Sequence, residues 1–130
     1  MKNKVFNVVS VIFGLLLMNG GLNKFLNYMP VPEGLPDALQ RDNAAILEIE
    51  WLMPLVGTAE LFGGVLILFP KTRALGTLVV FPVMVGVLLT HLTVAPEGLV
   101  MAAVIWTIMI WIIFENRRKY LSIIRLDSNK

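Results

Sequence analysis

The chain has 130 residues, of which 57% are hydrophobic and 15% charged, with a mean hydropathy of +0.77. Soluble domains carry about 25% charged residues, so this composition excludes an ordinary soluble fold and reads as an integral membrane protein. The net charge is +2, but the basic residues flank apolar segments and form no stripe of their own, which excludes a nucleic-acid binder. There is no cysteine, so no disulfide, thiolate nucleophile, iron–sulfur cluster or cysteine-type zinc site can form within the chain.

A membrane-crossing helix needs about 20 apolar residues. Four segments meet this need: about 5–26, 44–69, 74–94 and 96–114. The fold class expected is therefore all-α, an integral membrane four-helix bundle running up-down-up-down in a single domain over residues 1–130. An outer loop at about 27–43 and a tail at 115–130 complete it.

The first segment follows Lys2 and Lys4, and its apolar core, Val5–Leu22, is interrupted only by Asn7, Ser10 and Asn19. No small-x-small cleavage site follows it and Lys24 comes soon after, so it reads as a span rather than a cleaved signal peptide. The outer loop holds Pro30, Pro32 and Pro36, which exclude regular helix there. Beyond it, Asp37 or Asp42 is expected to start a helix that rests on the outer surface and continues through Ala44–Trp51 into the second span. Pro54 and Pro82 are expected to bend the second and third spans by freeing the carbonyls of Glu50 and Leu78. Pro96 followed by Glu97 is a good helix start for the fourth span. Tyr28 and Trp51 suit an outer aromatic belt and Tyr120 an inner one. Trp106 and Trp111 read as packing residues, and the seven methionines as core filler.

Orientation follows from the basic residues. Lys2, Lys4, Lys71, Arg73, Arg117, Arg118, Lys119, Arg125 and Lys130 fall on one side; only Lys24 and Arg41 fall on the other. Both termini are therefore expected in the cytoplasm of a bacterial-type inner (plasma) membrane.

Glu60 stands alone in T-A-E-L-F-G-G-V-L-I-L-F, with no other charge between Trp51 and Phe69. It is nine residues from each end of that stretch, about 14 Å from either surface at 1.5 Å per residue. A carboxylate at that depth costs a few kcal/mol or more unless it is paired, protonated or wet, and it marks a functional site by default. Its candidate partners are Asn19, Asn23, Lys24 and His91. Lys24 either anchors the end of the first helix or folds down to pair with Glu60. Glu60 is either a ligand- or proton-linked group or a structural residue hydrogen-bonded within the bundle. All these polar residues fall between midplane and outer side, which suggests an outward-facing polar pocket. Gly57, Glu60 and Gly64 share one helix face, where small residues let helices approach closely. Thr90 and Thr93 are expected to bond back to their own helix. A single histidine with a single glutamate is a poor metal or haem site, so no metal is expected.

These residues give the chain its resemblance to the DoxX family of small four-span membrane proteins. G-G-L-N-K-F at 20–25 resembles the end of that family's first helix, and A-E-L-F-G-G-V-L-I-L at 59–68 its second. The basic turn P-K-T-R is similar to the family's short hairpin, although Phe69-Pro70 stands where many members have Leu-Gly. His91 matches a common polar position. The resemblance runs from roughly Val5 to Phe114. It implies a four-helix bundle, with Lys24, Glu60, Gly63, Gly64 and His91 as site or core residues.

For function, the resemblance implies one of two classes. The first is a redox-linked subunit holding a quinone, with Glu60 exchanging a proton and His91 or Lys24 bonding a carbonyl oxygen. Electrons would come from a membrane-protein partner. The second is a non-catalytic helper in membrane-protein assembly, with Glu60 and Lys24 holding the bundle together. A small transporter fits less well, because four spans would have to form a homo-oligomer and the inner half carries few polar residues.

Overall fold

The computed structural model describes residues 2–125; Met1 and the tail from residue 126, including Lys130, lie outside the described residues, as does the Lys2 side chain. The described chain is all helical, without strands. Its elements are α1 (Lys2–Leu26), α2 (Asp37–Glu48), α3 (Leu52–Leu68), α4 (Arg73–Thr93), a short 3-10 turn (Pro96–Gly98), α5 (Leu99–Glu115) and α6 (Arg117–Ile124). Three stretches are long and apolar enough to cross a membrane: Asn3–Leu26, Arg73–Thr93 and Pro96–Glu115. A fourth exists if α2 and α3, bent at 94° to each other, count as one.

That bend corrects an expectation. A single helix was expected to run from Asp37 or Asp42 into the second span, but it stops at Glu48, and Ile49 is extended (φ −85°, ψ 98°). α3 begins at Leu52, which puts Pro54 in its first turn. There a missing N–H costs nothing, so Pro54 frees no helix carbonyl and bends no span. Pro82 does lie inside α4. α2 buries no residue.

α3 is the central helix. It packs against α1 on one side and α4 on the other; α5 completes the ring against α4 and, more thinly, α1. Glycines make both α3 contacts close. A Cβ on Gly14 would lie 2.8 Å from the Gly64 carbonyl oxygen, and one on Gly21 would lie 2.7 Å from that of Gly57. Gly14 meets Gly64 while Gly21 meets Gly57, so α1 and α3 run in opposite directions. The spacing of seven on each helix returns the glycines to the same face after two turns. Gly63 and Gly76 repeat the arrangement between α3 and α4, where a Cβ on Gly76 would lie 2.7 Å from the Gly63 carbonyl oxygen. The core beside these contacts contains Phe13, Leu17, Ile67, Val80, Met84, Met109 and Ile112. Outside it, large apolar side chains such as Leu16, Val100, Met101 and Ile110 are exposed, an outer surface suited to a bilayer. Trp106 donates to the Met84 carbonyl and packs edge-on against Phe81, and Trp111 packs on Phe6, as packing roles require.

The end of the fold opposite the 27–36 loop is not apolar, as the sequence suggested. Arg73 is 2% exposed. Its Nε donates to the Ile67 carbonyl at 2.8 Å, and an Nη donates to Asn7 Oδ1 at 2.8 Å and to the Leu68 carbonyl at 3.3 Å. The guanidinium also stacks over Phe6. The last carbonyls of a helix have no intrahelical donor, and Arg73 supplies one to α3 from the next helix. Counting Arg73 only as a flanking charge missed this. Ser10 and Thr77 are fully buried nearby in the chain's own helices. Tyr120 donates to the Ala74 carbonyl at 3.0 Å, so it docks α6 rather than serving as a belt residue. Burial raises its phenol pKa above the ordinary value, and a Thr77 hydrogen bond opposes that rise.

Two outcomes follow for thermal unfolding in detergent. Gly21→Ala drives a Cβ into backbone atoms of α3 and should lower stability by about 1–3 kcal/mol; Gly86→Ala, with nothing within 4 Å of its new Cβ, should lower it not at all. Arg73→Met should cost about 2–4 kcal/mol by leaving the Ile67 carbonyl and the Asn7 amide oxygen unbonded. Equal melting of all three variants and wild type would remove both accounts.

Candidate functional site

Glu60 is at the centre of α3, eight residues from each end of Leu52–Leu68 and so about 12 Å from each. It is 6% exposed, on the face it shares with the buried Gly57, Gly63, Gly64 and Ile67. Its partner is Lys24. The Lys24 Nζ donates to Oε1 at 3.0 Å and to Oε2 at 2.9 Å, so the ammonium bridges both carboxylate oxygens. Of the two readings of Lys24, the structure therefore has the one that folds down.

Helix geometry explains the convergence. Side chains tilt toward the N-terminus of their own helix. Because α1 and α3 run in opposite directions, Lys24, near the end of α1, leans inward, and Glu60 leans back toward the loop end. Gly20, one turn before Lys24, leaves the room: a Cβ there would lie 3.0 Å from Glu60 Oε2. A buried carboxylate held by a bidentate ammonium has the pairing that its desolvation requires. The pair is unequal in exposure, at 24% for the Lys24 side chain and 7% for Glu60.

The other expected partners are elsewhere. Asn19 is exposed; it accepts a short hydrogen bond from the Tyr28 hydroxyl and donates to Met29 Sδ at 3.4 Å. Asn23 Oδ1 accepts from the Met29 backbone N–H at 2.8 Å. Both asparagines shape the chain as it leaves α1, where Asn27 adopts a left-handed conformation (φ 50°). Neither bonds to Glu60. Spacing on the helix told which face they shared, but not that Tyr28 and Met29 fold back onto that face. His91 does not bond Glu60 either. Its Nδ1 is 3.0 Å from the Ala95 carbonyl oxygen, and its ring covers Gly98, where a Cβ would lie 2.2 Å from the ring. A carbonyl only accepts, so Nδ1 is the donor in that contact. Thr90 and Thr93 bond back to the Gly86 and Leu89 carbonyls.

Three cavities border Lys24. One of about 330 Å³ lies between α3 and α4, with Glu60, His91, Pro82 and Gly86 on its wall among aliphatic side chains. A second, about 200 Å³, lies toward α1 and α5 and also touches Glu60. The largest, about 810 Å³, does not reach Glu60; it spreads under the 27–36 loop and α2, with Asn23, Glu33, Gln40 and Asn43 on its wall. The chemistry is concentrated at the smaller pair, because the buried ion pair forms a wall of both. A carboxylate there can hold a proton or accept a hydrogen bond. The ammonium has one N–H beyond the two it gives to Glu60.

The DoxX family model matches residues 8–96, which ends before α5 and is shorter than the resemblance from roughly Val5 to Phe114. No curated protein and no solved structure matches the chain. The matched stretch is well over half of the 130 residues and contains most of α1 and all of α2, α3 and α4, with both members of the ion pair, so this chain, with its long apolar helices, is an integral membrane protein of the DoxX family.

Proposed function

We propose that this protein is a redox-linked membrane subunit that takes a quinone in the cavities beside Glu60. In this reading it crosses a bacterial-type plasma membrane four times, up-down-up-down, with both termini in the cytoplasm. The basic residues support that orientation, since among the described residues eight of the ten lie at the end of the helices opposite Lys24 and Arg41. The opposed directions of α1 and α3 support the topology.

The observation that carries the reading is the Lys24–Glu60 pair, buried at mid-helix with open space on both sides. The larger of the two cavities, about 330 Å³, falls at the lower end of the roughly 300–1,000 Å³ typical of small-molecule sites. A ligand there meets mostly aliphatic walls and few polar groups, which suits a lipid-soluble ring. The residues fit a quinone in a specific way. Lys24 has a free N–H to give to a carbonyl oxygen. His91 lines the same cavity with its Nδ1 engaged by the Ala95 carbonyl, which leaves Nε2 to bond an oxygen of the ring. Glu60 is the group that takes or returns a proton. A bound quinone would supply the two-electron chemistry. The chain has no cysteine and one histidine, so the electrons would enter from a partner protein.

One observation favours a second reading, a non-catalytic partner in membrane-protein assembly: both oxygens of Glu60 are already engaged by Lys24 across the α1–α3 contact. Native mass spectrometry of gently extracted protein separates the two. For the quinone reading, wild type should retain a stoichiometric small hydrophobic mass. Glu60→Gln should lose it at a stability cost of about 1–3 kcal/mol, since Lys24 can swing to the surface. Gly86→Leu, which fills open space on the cavity wall and leaves the pair intact, should lose it with no loss of stability. A wild-type bundle that carries only phospholipid or another protein would sink the quinone reading. So would a hydrophobic ligand retained by both variants.

A further inference from the structure

α5 ends at Glu115, and Asn116 interrupts the helix (φ −104°, ψ 13°) before α6 begins. α6 does not project away from the apolar body. Lys119 Nζ donates to the Pro70 carbonyl at 3.1 Å, and the Tyr120 hydroxyl donates to that of Ala74 at 3.0 Å. These two bonds lay the helix over the α3–α4 turn, at the level where the apolar surface ends. Arg117 stays at the same edge, bonded to the Phe114 carbonyl and stacked over its ring.

The helix so placed is two-sided. Leu121, Ile123 and Ile124 are 42%, 59% and 77% exposed. Lys71 on the turn, Arg117, Arg118 and Lys119 on α6 and Arg125 at its C-terminal cap gather positive charge, and neither the turn nor α6 carries a carboxylate; the nearest, Glu115, ends α5. Lys71 and Arg118 make no hydrogen bond or ion pair among the described residues. A basic, amphipathic helix at the margin of a span has the chemistry of an anionic lipid surface: ammonium and guanidinium groups for phosphates, and aliphatic side chains for the upper acyl carbons.

We propose that α6 and the α3–α4 turn form a binding surface for acidic phospholipid headgroups, with Lys71 and Arg118 contacting phosphate and Leu121, Ile123 and Ile124 seated in the acyl boundary. The surface is at the opposite end of the fold from the 27–36 loop and does not depend on any ligand beside Glu60. Lys119 and Tyr120 position α6; Lys71 and Arg118 recognise the lipid.

The test is native mass spectrometry of protein released from micelles holding equal phosphatidylglycerol and phosphatidylcholine. Wild type should retain phosphatidylglycerol preferentially. Each basic residue near an anionic surface contributes about five-fold at low salt, so Lys71→Gln/Arg118→Gln should reduce the preference by roughly 25-fold. Its melting in phosphatidylcholine alone should match wild type. If that variant melts early, Lys71→Arg/Arg118→Lys must keep the preference. Equal retention of the two lipids by wild type overturns the proposal, as does a preference that survives in the glutamine variant or is lost in the charge-keeping one.

Discussion

One carboxylate in an apolar slab sets the terms for this fold. An isolated ionised Glu60 would cost several kcal/mol, and the chain answers with an ammonium on the neighbouring helix that covers both oxygens. That answer makes demands on everything around it. The two helices must run in opposite directions for the side chains to converge. They must also lie close, which is why Gly14, Gly21, Gly57 and Gly64 line their contact and why Gly20 sits beside the carboxylate. In lipid there is little hydrophobic force to press helices together, so backbone approach and polar bonds take its place. The glycines and the ion pair are therefore one device. Neither is placed usefully without the other.

The two ends of the helices are closed differently. At the end opposite the 27–36 loop, Arg73 donates to the last carbonyls of α3, Lys119 to the α3–α4 turn and Tyr120 to the first turn of α4, so the helix ends are tied together there. At the loop end, α2 turns away at 94°, and the asparagines of α1 bond to the loop instead of filling the interior. The largest cavity opens there, and the two smaller ones lie beneath it against the pair. The asymmetry comes from where donors are available: cations cluster at the closed end, and only Lys24 reaches into the open one.

Much of this was legible because it rests on composition and period. Continuous apolar segments announced the long helices, a lone charge announced Glu60, and two short motifs announced the family. What was not legible depended on contacts across chain distance. The helical spacing of Ile46, Ile49 and Leu52 continues past Glu48 and Glu50, so that pattern gave no sign that the backbone would extend at Ile49 and start a new helix. Pro54 was the available sign: read as the first turn of a helix rather than a kink, it places the start near Leu52. Arg73 carries a charge that the topology count explained too readily. Its side chain bends inward because helix ends leave carbonyls unsatisfied, a demand that no local pattern displays. Asn19 and Asn23 share the expected face, but a face does not reveal which residues return to it.

The unequal exposure of the ion pair bears on how such a site would work. Lys24 is the more accessible half, since it borders all three cavities and its side chain is about a quarter exposed, whereas Glu60 is nearly sealed among glycines. A ligand that bonds to the third N–H of Lys24 leaves the pair intact and changes no charge. A ligand that draws Lys24 away leaves a buried carboxylate without its counter-ion, a state stable only if a proton arrives with the ligand. On the quinone reading, then, binding and protonation are linked by charge neutrality and not by any special reactivity of Glu60. The same neutrality explains why the pair is a lysine with a glutamate: a compact ammonium on a flexible stem can leave and return, while a guanidinium held in a fork would lose more with each departure.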